Sequence, residues 1–319
     1  MKIKNIKNKR EKLIIAILCL ILFIMAVPIG VNFLETETGP EEAEIIEDTA
    51  SEEDTFIPTF ANLSDIQTLD DIRSYLFYVD NTAYVIEEDF PLDKLAAMDL
   101  SLNLRGSVPR VLITHTHSSE YFADSIEGNV EDSIVGIGRY LAEILVEHHG
   151  VSVVHDVGIY DIIDGEVTRV GNYEAMEAGI RQILERHPQI ELIIDLHRDA
   201  APQGVKYVTE IEGRPTAKIM FFNGITRRNV DGEPVQLYDL FNPYILENLA
   251  LSLQLFLTSN EHYPGLARRN YIKAYRYSLH LRPRSILVEV GANTNTVEEA
   301  RNAMYPLAHI IMEVVGVGE

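Results

Sequence analysis

The spacing of apolar positions changes several times along this chain, and each change predicts an element. Residues 13–31, LIIAILCLILFIMAVPIGV, carry no charge. A run of that length crosses a hydrocarbon layer of about 30 Å as one helix. Residues 32–55 lack apolar periodicity and read as an acidic, disordered linker. Residues 56–105 mix short apolar runs with turn signals and are expected to form a small lead-in segment.

After Pro109 strand-like and helix-like patterns alternate. Residues 110–114 read as a strand. In 132–148, Ile134, Ile137, Leu141, Ile144 and Leu145 share one helical face, and Gly150 ends that helix. VSVVHD follows as a strand. NYEAMEAGIRQILERHP (172–188) predicts a helix with Asn172 as its N-cap and Pro188 as its stop. IELIIDL (190–196) is almost continuously apolar, as in a strand buried on both faces. KYVTEIEGRPTAKIMFF predicts a hairpin turning near Glu212 and Gly213. A helix over FNPYILENLALSLQLFL and a strand over 285–290 come next. Thr296 and Glu299 form a capping box for the last helix, which Pro306 is expected to kink. Residues 106–319 are therefore expected to form a three-layer α/β/α domain with a mostly parallel sheet.

Charge adds an orientation. The basic tail, residues 1–12, contains Lys2, Lys4, Lys7, Lys9, Arg10 and Lys12, whereas ten acids lie in 35–54. That asymmetry places the tail in the cytoplasm and the rest outside, behind a single-pass anchor. Ala26-Val27-Pro28 makes a poor signal-peptidase site, so 13–31 reads as an uncleaved signal-anchor. Cys19 is the only cysteine, which excludes an internal disulfide framework. A formal charge of −22 argues against nucleic acid as a partner.

Ligands of open parallel sheets bind beyond the carboxyl ends of the strands, and three strands here end on reactive residues. The first runs into His115, His117 and Glu120. The second ends in Asp195, His197, Arg198 and Asp199, and the third carries Glu289. Two imidazoles and a carboxylate, with one position open, suit a hydrolytic zinc. A separate glutamate is then needed as base for the attacking water, and Glu289, set among apolar residues, is the natural choice. Arg198 and Asp199 are placed to hold substrate carboxylates or to orient the imidazole.

IELIIDLHRDA resembles the histidine motif of zinc-dependent N-acetylmuramoyl-L-alanine amidases of the amidase-3 type, and ILVEVGANTNT their late glutamate motif. HTHSSE, DLHRDA, YPGLARR (263–269) and SILVEVGANTNTVEEA (285–300) together resemble the stage II sporulation protein P family, in order over roughly residues 65–319. That resemblance implies a membrane-anchored peptidoglycan amidase acting at the sporulation septum during engulfment. His197 would then be a zinc ligand and Glu289 the catalytic acid–base. The front ligands would come from His115, His117 and Glu120. The amidase-3 pattern would instead take a glutamate from the start of the next helix, and Glu131 stands at that spacing from His117. Arg268 and Arg269 would line a groove for the anionic wall peptide. The resemblance further implies endopeptidase activity on cross-links, a companion glycan-cleaving enzyme and an integral-membrane recruiter. A zinc carboxypeptidase of stem peptides and a non-catalytic wall-binding scaffold are the competing readings.

Overall fold

The computed structural model describes residues 63–104, 106–126, 128–163, 165–168 and 171–316. The basic tail, the signal-anchor and the acidic linker lie outside the described residues. Within the described residues, no helix is long and apolar enough to cross a membrane.

Among the described residues, seven strands build the main sheet: β1 (Phe77–Val79), β2 (Val111–Thr114), β3 (Val153–His155), β4 (Leu192–Asp199), β5 (Ile219–Gly224), β6 (Asn270–Lys273) and β7 (Arg284–Ala292). Their order across it is β1-β6-β5-β7-β4-β2-β3. Neighbours are parallel except β5 and β7. The antiparallel seam follows from the connection that precedes β5. A parallel return needs a crossover, usually a helix. Between β4 and β5 the chain instead makes the expected hairpin, Val208–Ile211 against Arg214–Ala217, and β5 comes back the other way.

Among the described residues, six α-helices accompany the sheet: α1 (Leu69–Tyr75), α2 (Leu92–Ala96), α3 (Ile134–His149), α4 (Asn172–Arg186), α5 (Ile245–His262) and α6 (Val297–Val315). Period-two alternation in the strands separates the two faces. Val111, Ile113, Leu192, Ile194, Phe221, Ile286 and Val288 pack with α3, α5 and α6 in the larger core. Leu112 and Ile193 point the other way, against Met176, Ile180, Ile183 and Leu184 of α4. Each such buried aliphatic side chain contributes about 1.5–3 kcal/mol. The three layers expected from the sequence are present.

The helix ends carry their own chemistry. The Ser133 side chain caps α3, and Gly150 closes it in the left-handed region. The capping box of Thr296 and Glu299 forms at α6, and that helix runs on through the buried Pro306. At α4 the cap is Gly171, with φ 79°, and not Asn172. Asn172 is instead the first helical residue, its amide donating to the Thr168 carbonyl at 2.8 Å. The segment expected as a lead-in joins the main fold. Its β1 pairs with β6 at the sheet edge, and Ile72, Leu76, Phe77 and Leu95 enter the larger core. Three residues of strand are too few to leave a periodic signal in sequence.

Candidate metal centre

The site forms where β2, β4 and β7 end side by side. In β2 the alternation continues one step past the strand, so His115 stays on the face of Val111 and Ile113. There it is buried, its Nδ1 2.9 Å from the Leu196 carbonyl and its Nε2 2.9 Å from Nε2 of His155. Burial, followed by the neighbouring His155, pushes the His115 pKa down to about 3, so the ring is neutral. α3 makes room for it with Gly138, where a Cβ would stand 2.4 Å from the His115 ring. Both ring nitrogens are thus engaged in a clamp between strands.

Beyond Thr116 the chain leaves the sheet, and His117 turns to the opposite side. Among the described residues, one group offers three ligand atoms within 4.8 Å of one another: His117, Glu120 and His197. Nδ1 of His117 is 3.3 Å from Glu120 Oε1, and Nδ1 of His197 is 3.8 Å from Oε2. The two imidazole rings stand nearly perpendicular at 5.0 Å. Of the sequence-predicted ligands, the structure gathers these three and leaves His115 in its clamp. Glu131 lies on a short 3-10 turn, paired with Arg139.

Behind His197 stands Asp195, fully buried and 2.9 Å from Nε2. Thr116 donates to both carboxylate oxygens through its backbone and hydroxyl, and Ser278 donates to one. Burial alone would lower the His197 pKa, but Asp195, aided by Glu120 and Glu289, outweighs it and lifts the value to about 10. A carboxylate fixed on one ring nitrogen turns the other toward the ligand group.

Glu289 faces His197 directly in the parallel ladder of β7 and β4. Its Oε2 is enclosed and lacks a hydrogen-bond partner. Burial, with the charge of Asp199, pushes its pKa up to about 8 against the opposing pull of His197. A bulge follows at once, shifting the register between Glu289 and Ala292. Gly291 permits it with φ 59°, at a point where a Cβ would also lie 2.8 Å from the Asn295 side chain.

The two arginines differ in role. The Arg198 backbone N–H donates to Glu120 Oε2 at 2.9 Å, while its guanidinium donates to the carbonyls of Tyr121 and Asp199. It is a strut between β4 and the ligand loop. Arg268 reaches Asp199 Oδ2 at 2.6 Å and lies over the Tyr207 ring at 3.7 Å, beside the acid that raises Glu289.

Asp161 carries no mark in the sequence. It is 1% exposed and accepts from Ser118 Oγ at 2.7 Å, Ser119 N at 3.0 Å and the Ser119 hydroxyl. It thereby fixes the two residues between His117 and Glu120. Nothing around it in YDIIDG marks a buried acid. Tyr173, set edge-on to His117 at 6.0 Å, is likewise visible only in the fold.

Two imidazoles and a carboxylate, buried together and backed by Asp195, are a donor set that fits zinc. Outer partners of a metal site are worth about 10–100-fold in affinity. Asp161→Ala should therefore weaken zinc binding by at least tenfold, measured by competition against a chelating dye. An unchanged affinity would show that the ligand loop holds itself.

A stage II sporulation protein P of Bacillus subtilis (strain 168) is 22% identical over 224 residues, covering 66% of this chain and 52% of that protein. The chain thus spans about half the length of the relative it matches. Among solved structures, the N-acetylmuramoyl-L-alanine amidase AmiC2 of Nostoc punctiforme is 18% identical with a TM-score of 0.36, covering 66% of this chain and 97% of that one. The CwlD amidase of Clostridioides difficile, solved with the GerS lipoprotein, is 14% identical with a TM-score of 0.40, covering 64% and 98%. The family model of stage II sporulation protein P matches residues 34–312, nearly the whole chain, and the chain belongs to that family.

Proposed function

We propose that this chain is a zinc-dependent N-acetylmuramoyl-L-alanine amidase that remodels peptidoglycan during sporulation, held to the outer side of the cytoplasmic membrane by residues 13–31. The observation that carries the reading is Glu289: an enclosed carboxylate with an unpartnered oxygen, one strand across from a buried His–Glu–His group. Family membership supports the substrate, and the donor set supports the metal.

His117, Glu120 and His197 would hold the zinc. When bound, zinc supplies a Lewis acid for the amide carbonyl and acidifies water. Glu289 takes a proton from the water that attacks the lactyl carbonyl carbon of N-acetylmuramic acid. As the carbon–nitrogen bond breaks, Glu289 returns that proton to the departing amine of L-alanine. Burial holds the Glu289 carboxyl above the ordinary carboxylate range, which makes it a stronger base toward the water and a group able to hand the proton on. Asp195 keeps the His197 ring oriented throughout, and Arg198 keeps the ligand loop against β4.

The test is to incubate the full chain in detergent with purified wall and count new L-alanine amino termini. Chelation should abolish their release, and added zinc should restore it. Folded, zinc-loaded protein that frees no such termini would sink the assignment.

The carboxylate ligand gives a separate prediction. Glu120→Gln should loosen zinc at least tenfold, since Glu120 sits between both histidines. Glu131→Gln removes an acid paired with Arg139 on a partly exposed turn, and metal affinity and turnover should stay within a few-fold. A zinc titration on both variants decides it. The opposite pattern would hand the ligand role to Glu131.

A further inference from the structure

The candidate metal centre uses two of the chain's ten histidines, and a second pair stands around a carboxylate elsewhere in the fold. His262 is the last residue of α5, directly before the YPGLARR stretch, and His309 and Glu313 stand four apart on α6. Residues four apart share a helix face, and α5 ends against that face. Glu313 lies between the two rings. Nε2 of His262 is 2.8 Å from Glu313 Oε2 and 3.0 Å from Oε1, and Nε2 of His309 is 3.8 Å from Oε2.

The arrangement repeats that of the candidate centre. There the imidazoles stand 5.0 Å apart at 79°, and here they stand 5.2 Å apart at 73°. In each case one carboxylate faces both rings and one ring is held from behind. Behind His197 that partner is Asp195, and behind His309 it is the Tyr263 hydroxyl, 3.0 Å from Nδ1. Burial, followed by the charge of Glu212, raises the Tyr263 pKa, so the hydroxyl keeps its proton. An Nδ1–H that donates to this oxygen leaves the His309 lone pair on Nε2, the atom facing Glu313.

Electrostatics favour a cation at this place. Open backbone carbonyls give the last turn of a helix a partial negative charge. α5 ends at His262 and α6 two residues beyond Glu313, and neither last turn holds a Lys or Arg. The set is more open than the first. The side chains of His262, His309 and Glu313 are 33%, 39% and 43% exposed, whereas those of His117, Glu120 and His197 are 10%, 6% and 3% exposed. Ligands around tetrahedral zinc stand roughly 3.3 Å apart, and exposed side chains turn to that spacing without disturbing a core.

We infer that His262, His309 and Glu313 form a second zinc site, which ties the end of α5 to α6. It goes beyond the amidase reading and stands without it. Water competes for exposed donors, so this site binds zinc roughly a hundredfold more weakly than the enclosed centre and fills only when zinc is supplied. Bound there, the ion is a staple between two helices of the larger core.

The test titrates zinc into the full chain in detergent, cleared of metal by gel filtration and carrying His197→Gln to disable the first centre. One equivalent should bind, and the urea unfolding midpoint should rise with it, because an ion held by the folded state alone stabilises that state. Adding His309→Ala or Glu313→Gln should weaken this binding at least tenfold and abolish the rise. His187→Ala, at the end of α4, is the control and should leave both unchanged. The His309 ring also packs on Tyr263 at 5.6 Å, so if His309→Ala unfolds, the more exposed Glu313→Gln decides alone. Failure of the His197→Gln chain to take up zinc overturns the proposal. So does uptake that survives Glu313→Gln, and so does an equal loss in His187→Ala, which would assign the ion to scattered surface histidines.

Discussion

His197→Ala is expected to lose its metal and its activity together. The imidazole is one of three clustered donor groups, and the two that remain, His117 and Glu120, would rarely hold zinc against water. The loss extends beyond coordination. Asp195 is fully buried, and the charge of His197 is the largest influence opposing the upward push of burial on its pKa. Removing the ring leaves that carboxylate with Thr116 and Ser278 alone. Breaking a buried pair by deleting one partner costs about 3–5 kcal/mol, so the alanine variant should also melt earlier. His197→Gln separates the two effects, because its amide can still donate to Asp195 while lacking the imidazole. Elemental analysis should find well under a tenth of the parent's zinc in both variants, with the glutamine form keeping more of the parent's thermal stability. Parental zinc content in folded His197→Gln would remove this histidine from the ligand set.

What could be read from the sequence follows physical range. The strands that build the site were legible because burial on both faces leaves continuous apolar runs, as in IELIIDL and SILVEV. His197 and Glu289 were legible because each stands within or just past such a run, where a parallel sheet presents its ligands. The division between His115 and His117 was not. Both follow the same strand by similar distances, and only the departure of the chain after Thr116 sends one into the core and the other to the site. At α4 Asn172 has the better capping side chain, but the backbone places left-handed Gly171 at the cap. β1 is three residues long and the reversal at β5 depends on a hairpin meeting a distant strand, so neither leaves a local signal. Asp161 belongs to the same class: its partners are about 42 residues away in sequence.

Glu289→Gln should keep its zinc and lose most of its turnover. The substitution preserves shape and leaves His117, Glu120 and His197 in place, but an amide cannot carry the proton from water to the departing amine. Loss of a general acid–base typically costs about 10²–10⁴-fold in rate. Binding of wall fragments should remain, so the deficit falls on kcat and leaves KM close to the parent's. Stability should move the other way. In the folded metal-free chain burial raises the Glu289 pKa from 4.5 to about 8. The folded state therefore binds more protons than the unfolded one between those values, and this residue lowers stability as pH rises through that window. The glutamine variant, which has no such titration, should gain on the parent in urea melts of metal-free protein as pH rises from 4.5 to 8, and the gain should vanish below 4.5. Near-parental release of L-alanine termini by zinc-loaded Glu289→Gln would mean that another group moves the proton. Unchanged relative stability across that pH range would mean that the carboxylate is solvated after all, and the physical argument for its role as base would go with it.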